Sequence, residues 1–441
     1  MLYNFLELDR SSRTSLTIQL YEALRDAIES RYLEPGENLL SIRQASSELG
    51  LSRTTVENAY QRLLLEGYVE SRPQSGYKVR AVIPRRREGK VEILPDPIYD
   101  FTTHGMDPED ADLNVWRKLL KKVFTDVKAI STYGDAQGEP ELREALSSYS
   151  FRARGVATDP ERIFIGAGTG PLLQLLCPLL DKSMPLVIEE PGFPLLERIF
   201  SDYGRSVSVV PSFGEYPEGE CCMLASLPSM RPRHSAEESL KERNVLKSWL
   251  SETSGRYLLE DDYNGELRYR TRPLSSFQAI SPERTIYIGS FSKLLLPSVR
   301  IAYMVLPEKL ACFARERLSD LNQTAGKTEQ LALAEYIESG DLEKHLKKLR
   351  RIYQRKSQKL EAEIVKVFGN VRYEILETSL SFAVHLDGYD VDCIIRKATD
   401  RGIALRKTPG DGNGIVLGFS SIAEDDIETA MQELSKCVIR N

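Results

Sequence analysis

The feature that most constrains this chain is a change of hydrophobic rhythm across residues 81–98. Before that stretch, three short helical periods and a hairpin crowd into about 70 residues. After it, short β-like runs alternate with helical stretches through residues 99–441. A single core does not serve both rhythms, so the chain reads as two folding units, 1–80 and 99–441, joined by a linker at 81–98. At about 100–200 residues per domain, 441 residues accommodate that division. The apolar fraction of 41% and charged fraction of 28% exclude a wholly disordered or fibrous chain. No apolar run approaches the length of a membrane span, and the N-terminal residues lack the basic and apolar segments of a secretion signal. Six cysteines form no C-x-x-C pair and only four histidines accompany them, so a structural zinc site is not expected. A cytoplasmic protein with reduced thiols and no membrane partner is the expectation.

Residues 13–31 place Leu16, Leu20, Leu24, Ala27 and Ile28 at helical spacing. Glu34-Pro-Gly-Glu37 interrupts the pattern. A second helix is predicted from about Ser41 to Leu49, ended by Gly50, and a third from Arg53 to about Glu66, capped by Ser52 and ended by Gly67. Two short strands, from Tyr68 and from Tyr77, flank the turn Pro73–Gly76. Three helices and a hairpin of these lengths predict an α+β winged helix-turn-helix. In that fold the third helix enters the major groove by its N-terminus. Ser52, Arg53, Thr54 and Thr55 then face DNA, Arg43 faces the backbone, and Gly76 lets the wing tip approach the minor groove. The charge gives no help. Residues 1–80 carry 10 basic and 11 acidic side chains, and the acidity of the −6 total lies in residues 99–441. The linker's Arg85-Arg-Arg87 is expected to be a solvated spacer, with a DNA-backbone contact as the alternative.

The segments Leu33–Arg43, Leu49–Val56, Ala59–Tyr68 and Gly76-Tyr together resemble the GntR-type winged-helix domain. Leu40 departs from the family, which usually has proline there, and this departure is expected to loosen the start of the second helix.

The second unit presents five features in order. Tyr133-Gly-Asp-Ala-Gln-Gly138 precedes Leu142-Arg143. Gly166-Ala-Gly-Thr-Gly170 lies between a β-like run and a helix, where free N–H groups bind phosphate; proline at 171 excludes a dinucleotide fingerprint. Glu190-Pro-Gly-Phe193 sets a ring after a strand. Leu259-Glu-Asp-Asp-Tyr263 ends another strand, with Asp261 and Tyr263 on one face. Ser290-Phe-Ser-Lys293 is followed seven residues on by Arg300, and a lysine there suits a Schiff base with an aldehyde cofactor. Each feature alone has an ordinary structural explanation. Together they resemble the fold-type-I pyridoxal-phosphate aminotransferases, an α/β fold with a small α+β subdomain at the C-terminus. The resemblance implies that Lys293 carries the cofactor, Asp261 holds the pyridine nitrogen, Tyr263 the ring oxygen, and Phe193 stacks on the ring. It assigns the phosphate to Gly168, Thr169, Ser290 and Arg300, and sends Tyr133 to the partner's phosphate in a homodimer.

A GntR-type domain joined to such a domain resembles the MocR subfamily of transcription regulators. The implied function is a regulator that binds double-stranded operator DNA and senses pyridoxal phosphate, a small amine or an amino acid. Two alternatives stay open: an active aminotransferase with a DNA-binding appendage, and a DNA-binding protein with a vestigial cofactor site. Three departures bear on the choice. Leu227-Pro-Ser-Met-Arg-Pro-Arg233 lacks the His-Gln that family members often carry beside the ring. Leu195 and Val416 are apolar where relatives place carboxylate-binding arginines, leaving Arg406 as the candidate effector anchor. These changes argue against γ-aminobutyrate as effector and against an efficient general transaminase.

Overall fold

The computed structural model describes the chain except residues 1–2, 4–5, 7, 13, 73–75, 82–95, 103–104, 190–193, 211–215, 217, 219–220, 227–235, 271–274, 319–320, 409–411 and 439–441. Two compact units emerge, Met1–Pro95 and Asp96–Asn441. The linker's arginine triplet, Phe193 and the 227–233 segment lie outside the described residues.

In the first unit α1 spans Leu16–Glu29, α2 Ile42–Leu49 and α3 Arg53–Leu65, followed by β1, Val69–Arg72, and β2, Gly76–Val79. The helix starts follow the hydroxyls. Ser15, Ser41 and Ser52 each accept a backbone N–H of the first turn, and Ser41 with Gln44 completes a capping box. Gly50 ends α2 at φ 62°, the left-handed conformation that favours glycine. Leu20, Leu24, Ala45, Val56, Ala59, Tyr60 and Leu63 form the centre of the core. β1 and β2 pair antiparallel, Val69 opposite Val79 and Arg72 opposite Gly76.

Leu40 does not loosen α2. Its backbone N–H, which proline would lack, donates to Tyr3 Oη at 3.2 Å. Its carbonyl accepts from Tyr60 Oη at 3.1 Å, and the two phenols meet at 2.6 Å. The N-terminal tyrosine therefore fixes the very peptide that the family departure alters.

The second unit is built on a seven-stranded sheet. Its strands run in the order Ile163–Gly166, Ala302–Val305, Thr285–Ser290, Gly255–Asp261, Cys221–Ser226, Leu186–Glu189, Val207–Val210. Ala302–Val305 is antiparallel to both neighbours; the remaining pairs are parallel. The sheet is therefore mixed, with one antiparallel strand in an otherwise parallel doubly wound layer. Buried side chains fill both faces. A four-stranded antiparallel sheet, ordered Tyr373–Leu376, Ser381–His385, Gly414–Gly418, Arg406–Lys407, forms the small α+β subdomain. Residues 327–368 form two helices, Lys327–Glu338 and Asp341–Phe368. Gly340, at φ 73°, separates them.

Lys356 of the longer helix is almost wholly buried, with Nζ 2.9 Å from Asp107 and 2.6 Å from Asp110. This triad ties the helix to the segment that enters the second unit.

Candidate functional site

Parallel strands end together, so their C-terminal ends collect side chains along one edge of a sheet. Asp261 is the last residue of its strand and aligns with Ile288; Ser290 ends the next strand and aligns with Ala302, which aligns in turn with Gly166. The register thus brings the end of Gly255–Asp261, the Ser290–Lys293 turn and the Gly166–Gly170 turn to neighbouring positions.

Gly168 adopts φ 88° and ψ −177°, a region essentially restricted to glycine. It precedes the helix Thr169–Leu176, whose first N–H groups have no intrahelical acceptor. A Cβ at Gly168 would lie 2.5 Å from Arg300 Nη2 and 3.2 Å from its Cζ. The guanidinium therefore lies against the glycine backbone because no side chain intervenes. Arg300 itself is held in the left-handed region at φ 52°, unusual for a non-glycine residue. Its Nη1 donates to Ser292 Oγ at 3.4 Å, and Ser292 Oγ lies 3.3 Å from Ser290 Oγ. Two hydroxyls, one guanidinium and a helix N-terminus make an anion cup. Ser292 was not singled out from the sequence; its place two residues after Ser290 was the available signal.

Lys293 is 4% exposed. Burial lowers its ammonium pKa to about 8. Its Nζ donates to the carbonyl of Gly105 and, at 3.2 Å, to Ser420 Oγ, which donates in turn to Gly105 O at 2.9 Å. Gly105 and Ser420 are distant in sequence from Lys293 and from each other, and no local motif marks them.

Asp261 is buried. Burial first, and the neighbouring Asp262 second, raise its carboxyl pKa to about 7. A cationic partner such as a protonated pyridine nitrogen would reverse that penalty. Asp262 points instead into the core, where it accepts from Arg154 Nη2 at 3.0 Å and Tyr287 Oη at 2.9 Å. Glu260 accepts the backbone N–H groups of Phe277 and Gln278. Of the three consecutive acids, the core uses two and leaves the Asp261 carboxyl without a side-chain donor among the described residues.

Tyr263 is half-buried, its phenol pKa raised first by burial and then by Asp261, and lowered by Asn264 and by Arg406. Arg406 is exposed and pairs across the small sheet with Val416, itself buried. The strand that lacks the family's arginine thus has an arginine directly opposite. Tyr133 is 94% exposed, so its own protomer does not bury it.

In the first unit Arg43, Ser52, Arg53 and Thr54 are exposed, and Thr55 is half-buried. Ser52 Oγ meets Thr55 Oγ1 at 2.8 Å and accepts the Thr55 N–H, so these hydroxyls also cap the helix. Gly76 begins β2 at φ 79°, with open space where a Cβ would stand.

The residues fit pyridoxal phosphate. The glycine cradle and Arg300 suit a dianion, the buried lysine an aldehyde, and the buried carboxyl a ring nitrogen. Among the described residues no cluster of His, Cys, Asp and Glu is arranged to hold a metal, and no helix is long and apolar enough to cross a membrane.

Comparison with known proteins agrees with both halves. Residues 16–79 match the family of bacterial regulatory proteins, gntR family, and residues 105–221 match aminotransferase class I and II. The HTH-type transcriptional regulator YhdI of Bacillus subtilis is 33% identical over 97% of this chain and 96% of its own. The pyridoxine biosynthesis transcriptional regulator PdxR of Corynebacterium glutamicum is 29% identical, covering 96% of each chain. The regulatory protein MocR of Rhizobium meliloti is 28% identical over 97% of this chain and 90% of its own. Among solved structures, the kynurenine aminotransferase of Pyrococcus horikoshii superposes with a TM-score of 0.65 at 22% identity, covering 78% of this chain and 91% of that one. The second unit therefore has the fold-type-I aminotransferase fold. The chain belongs to the GntR family of bacterial regulatory proteins, and within it to the MocR subfamily of transcription regulators, whose winged helix is joined to an aminotransferase-like domain.

Proposed function

We propose that this regulator binds pyridoxal phosphate at Lys293 and uses the loaded site to sense the cofactor itself or a small amine or amino acid. The carrying observation is the Gly168–Arg300 contact at the start of a helix, beside a buried lysine whose amine is readily deprotonated. When bound, pyridoxal phosphate supplies an aldehyde that condenses with primary amines. Gly168, Thr169, Ser290 and Arg300 hold its phosphate, Asp261 its ring nitrogen and Tyr263 its ring oxygen. The family resemblance assigns the face of the ring to Phe193, which lies outside the described residues. Lys293, with a pKa near 8, presents a useful fraction of neutral amine at neutral pH.

An arriving amino acid needs a fixed guanidinium for its carboxylate. Leu195 and Val416 offer none, and Arg406 is the candidate anchor. An exposed arginine on a short edge strand orients a carboxylate less firmly than a buried one, and misplacement by about 1 Å can cost about 100-fold in rate. This supports sensing over turnover. Tyr133 completes the phosphate site of a partner protomer in a homodimer, and Arg43, Ser52, Arg53, Thr54, Thr55 and Gly76 form the DNA face. The response requires the ligand to bind two conformations with different affinity. The test is titration of the purified protein with pyridoxal phosphate, then with amines. Appearance and displacement of absorbance at about 400–430 nm, with operator affinity changing in parallel and no sustained amino transfer, supports the reading. Steady transamination at about 1–1,000 per second replaces it with the enzyme alternative.

A further inference from the structure

We propose that the aminotransferase-like unit carries a second, sequence-independent contact surface for duplex DNA: the outward face of helix Asp341–Phe368, centred on Lys347, Lys348 and Arg351. Residues 344–360 hold eight Lys or Arg and no Asp or Glu, in a chain whose acids outnumber its bases by 65 to 59. At 100° per residue, Lys344, Lys347, Lys348, Arg351 and Arg355 share one third of the helix circumference. Over that interval they span about 16 Å at 1.5 Å per residue. The same face continues through Gln354, Gln358 and Ala362, none of which carries a negative charge. All five cations are exposed.

Their surroundings divide them. Lys344 pairs with Asp341, and Arg355 pairs with Glu424. Lys356 and Arg350 turn inward, to the two buried aspartates and to the Glu266 carbonyl. Lys347, Lys348 and Arg351 have no ion pair among the described residues. Lys118, on the helix Leu113–Thr125, lies close enough to Asp341 to act on its carboxyl, after the hydrogen bonds from Lys344 and Ser339, and extends the positive edge.

Three exposed cations without an ion pair among the described residues, on a rigid face inside an acidic unit, select an anionic polymer; Lys348 also acts on the carboxyl of Asp110, so Lys347 and Arg351 are the freest of the three. DNA is the polymer that the winged helix already brings to the protein, and a helix face without base-reading geometry selects its phosphates. Each phosphate neutralised adds about 0.9 to the salt slope of binding, so three contacts add about 2.7. Doubling the salt then weakens the extra contact about 6-fold.

The experiment uses the full chain and an operator enriched by it from random duplexes. Affinity is measured by fluorescence anisotropy on the operator core alone and on the core extended by about 30 bp at each side, from 50 to 200 mM salt. The expected result is a salt slope steeper by about 2–3 on the extended duplex. The K347E/K348E/R351E variant should lose that excess while binding the core as the wild type does. The milder K347Q/K348Q/R351Q variant should lose it too, which covers a charge-reversal variant that folds poorly. Loss of core binding in Arg53→Ala tests the winged-helix contact separately. Equal slopes on both duplexes in the wild type overturn the proposal. So does a change of sedimentation mass in the variants, which would assign the face to another copy of the chain.

Discussion

Replacing Gly168 with alanine attacks the site through backbone geometry alone. Alanine at φ 88° and ψ −177° sits where L side chains are strained by about 1–3 kcal/mol. Its Cβ would stand 2.5 Å from Arg300 Nη2, closer than such atoms approach, so the guanidinium must retreat. Arg300 is anchored by its own left-handed backbone and by Ser292, which leaves side-chain displacement as the escape. Losing one charge-assisted hydrogen bond to a phosphate costs about 1.5–3 kcal/mol, which is roughly a 10- to 150-fold rise in Kd for pyridoxal phosphate. Gly204→Ala is the control. Its φ is 73°, with no atom within 4 Å of the added Cβ, so it pays backbone strain and leaves the cup intact. The assay is absorbance titration with the cofactor, beside thermal melts of both variants. Binding by Gly168→Ala within twofold of wild type, at wild-type Tm, refutes the cup.

Other perturbations test the remaining parts. Arg53→Ala should weaken operator binding by about 1–3 kcal/mol with relaxed specificity at one base pair, whereas Arg43→Ala should weaken all duplexes alike and flatten the salt slope; gel shifts across salt distinguish them. Asp261→Asn should abolish ordinary cofactor binding yet stabilise the free protein above neutral pH. The carboxyl titrates near 7 when folded, against 3.8 in its ordinary state, so the folded form binds the extra proton between those values and loses stability as pH rises through them. The variant escapes up to about 4 kcal/mol of that loss, visible as a Tm gain at pH 8 that disappears near pH 4. Lys356→Met leaves Asp107 and Asp110 without the cation they share and should cost about 3–5 kcal/mol by chemical denaturation.

Local signals were legible. Ser41, Ser52 and Gly50 mark helix ends because a hydroxyl satisfies first-turn N–H groups and glycine accepts a left-handed bend. The strand holding Asp261 and the turn holding Lys293 follow from short apolar runs. What escaped was non-local. The strand Cys221–Ser226 contains no β-branched residue, so it shows no strong pattern. The contact between Gly168 and Arg300 joins positions far apart in sequence, and only the antiparallel strand Ala302–Val305 brings them together. Gly105 and Ser420 meet Lys293 through the small subdomain, for which no spacing rule exists. Leu40 shows the same limit in reverse. A departure that looks weakening by family pattern is compensated by Tyr3, 37 positions away.

The most direct test of the account is covalent. The purified protein, incubated with pyridoxal phosphate and reduced with borohydride, is digested and its peptides are mapped by mass spectrometry. The account predicts a single phosphopyridoxyl adduct on Lys293, absent from Lys293→Ala, whose absorbance near 400–430 nm is also lost. An adduct on a different lysine, or none in the wild type at saturating cofactor, contradicts it.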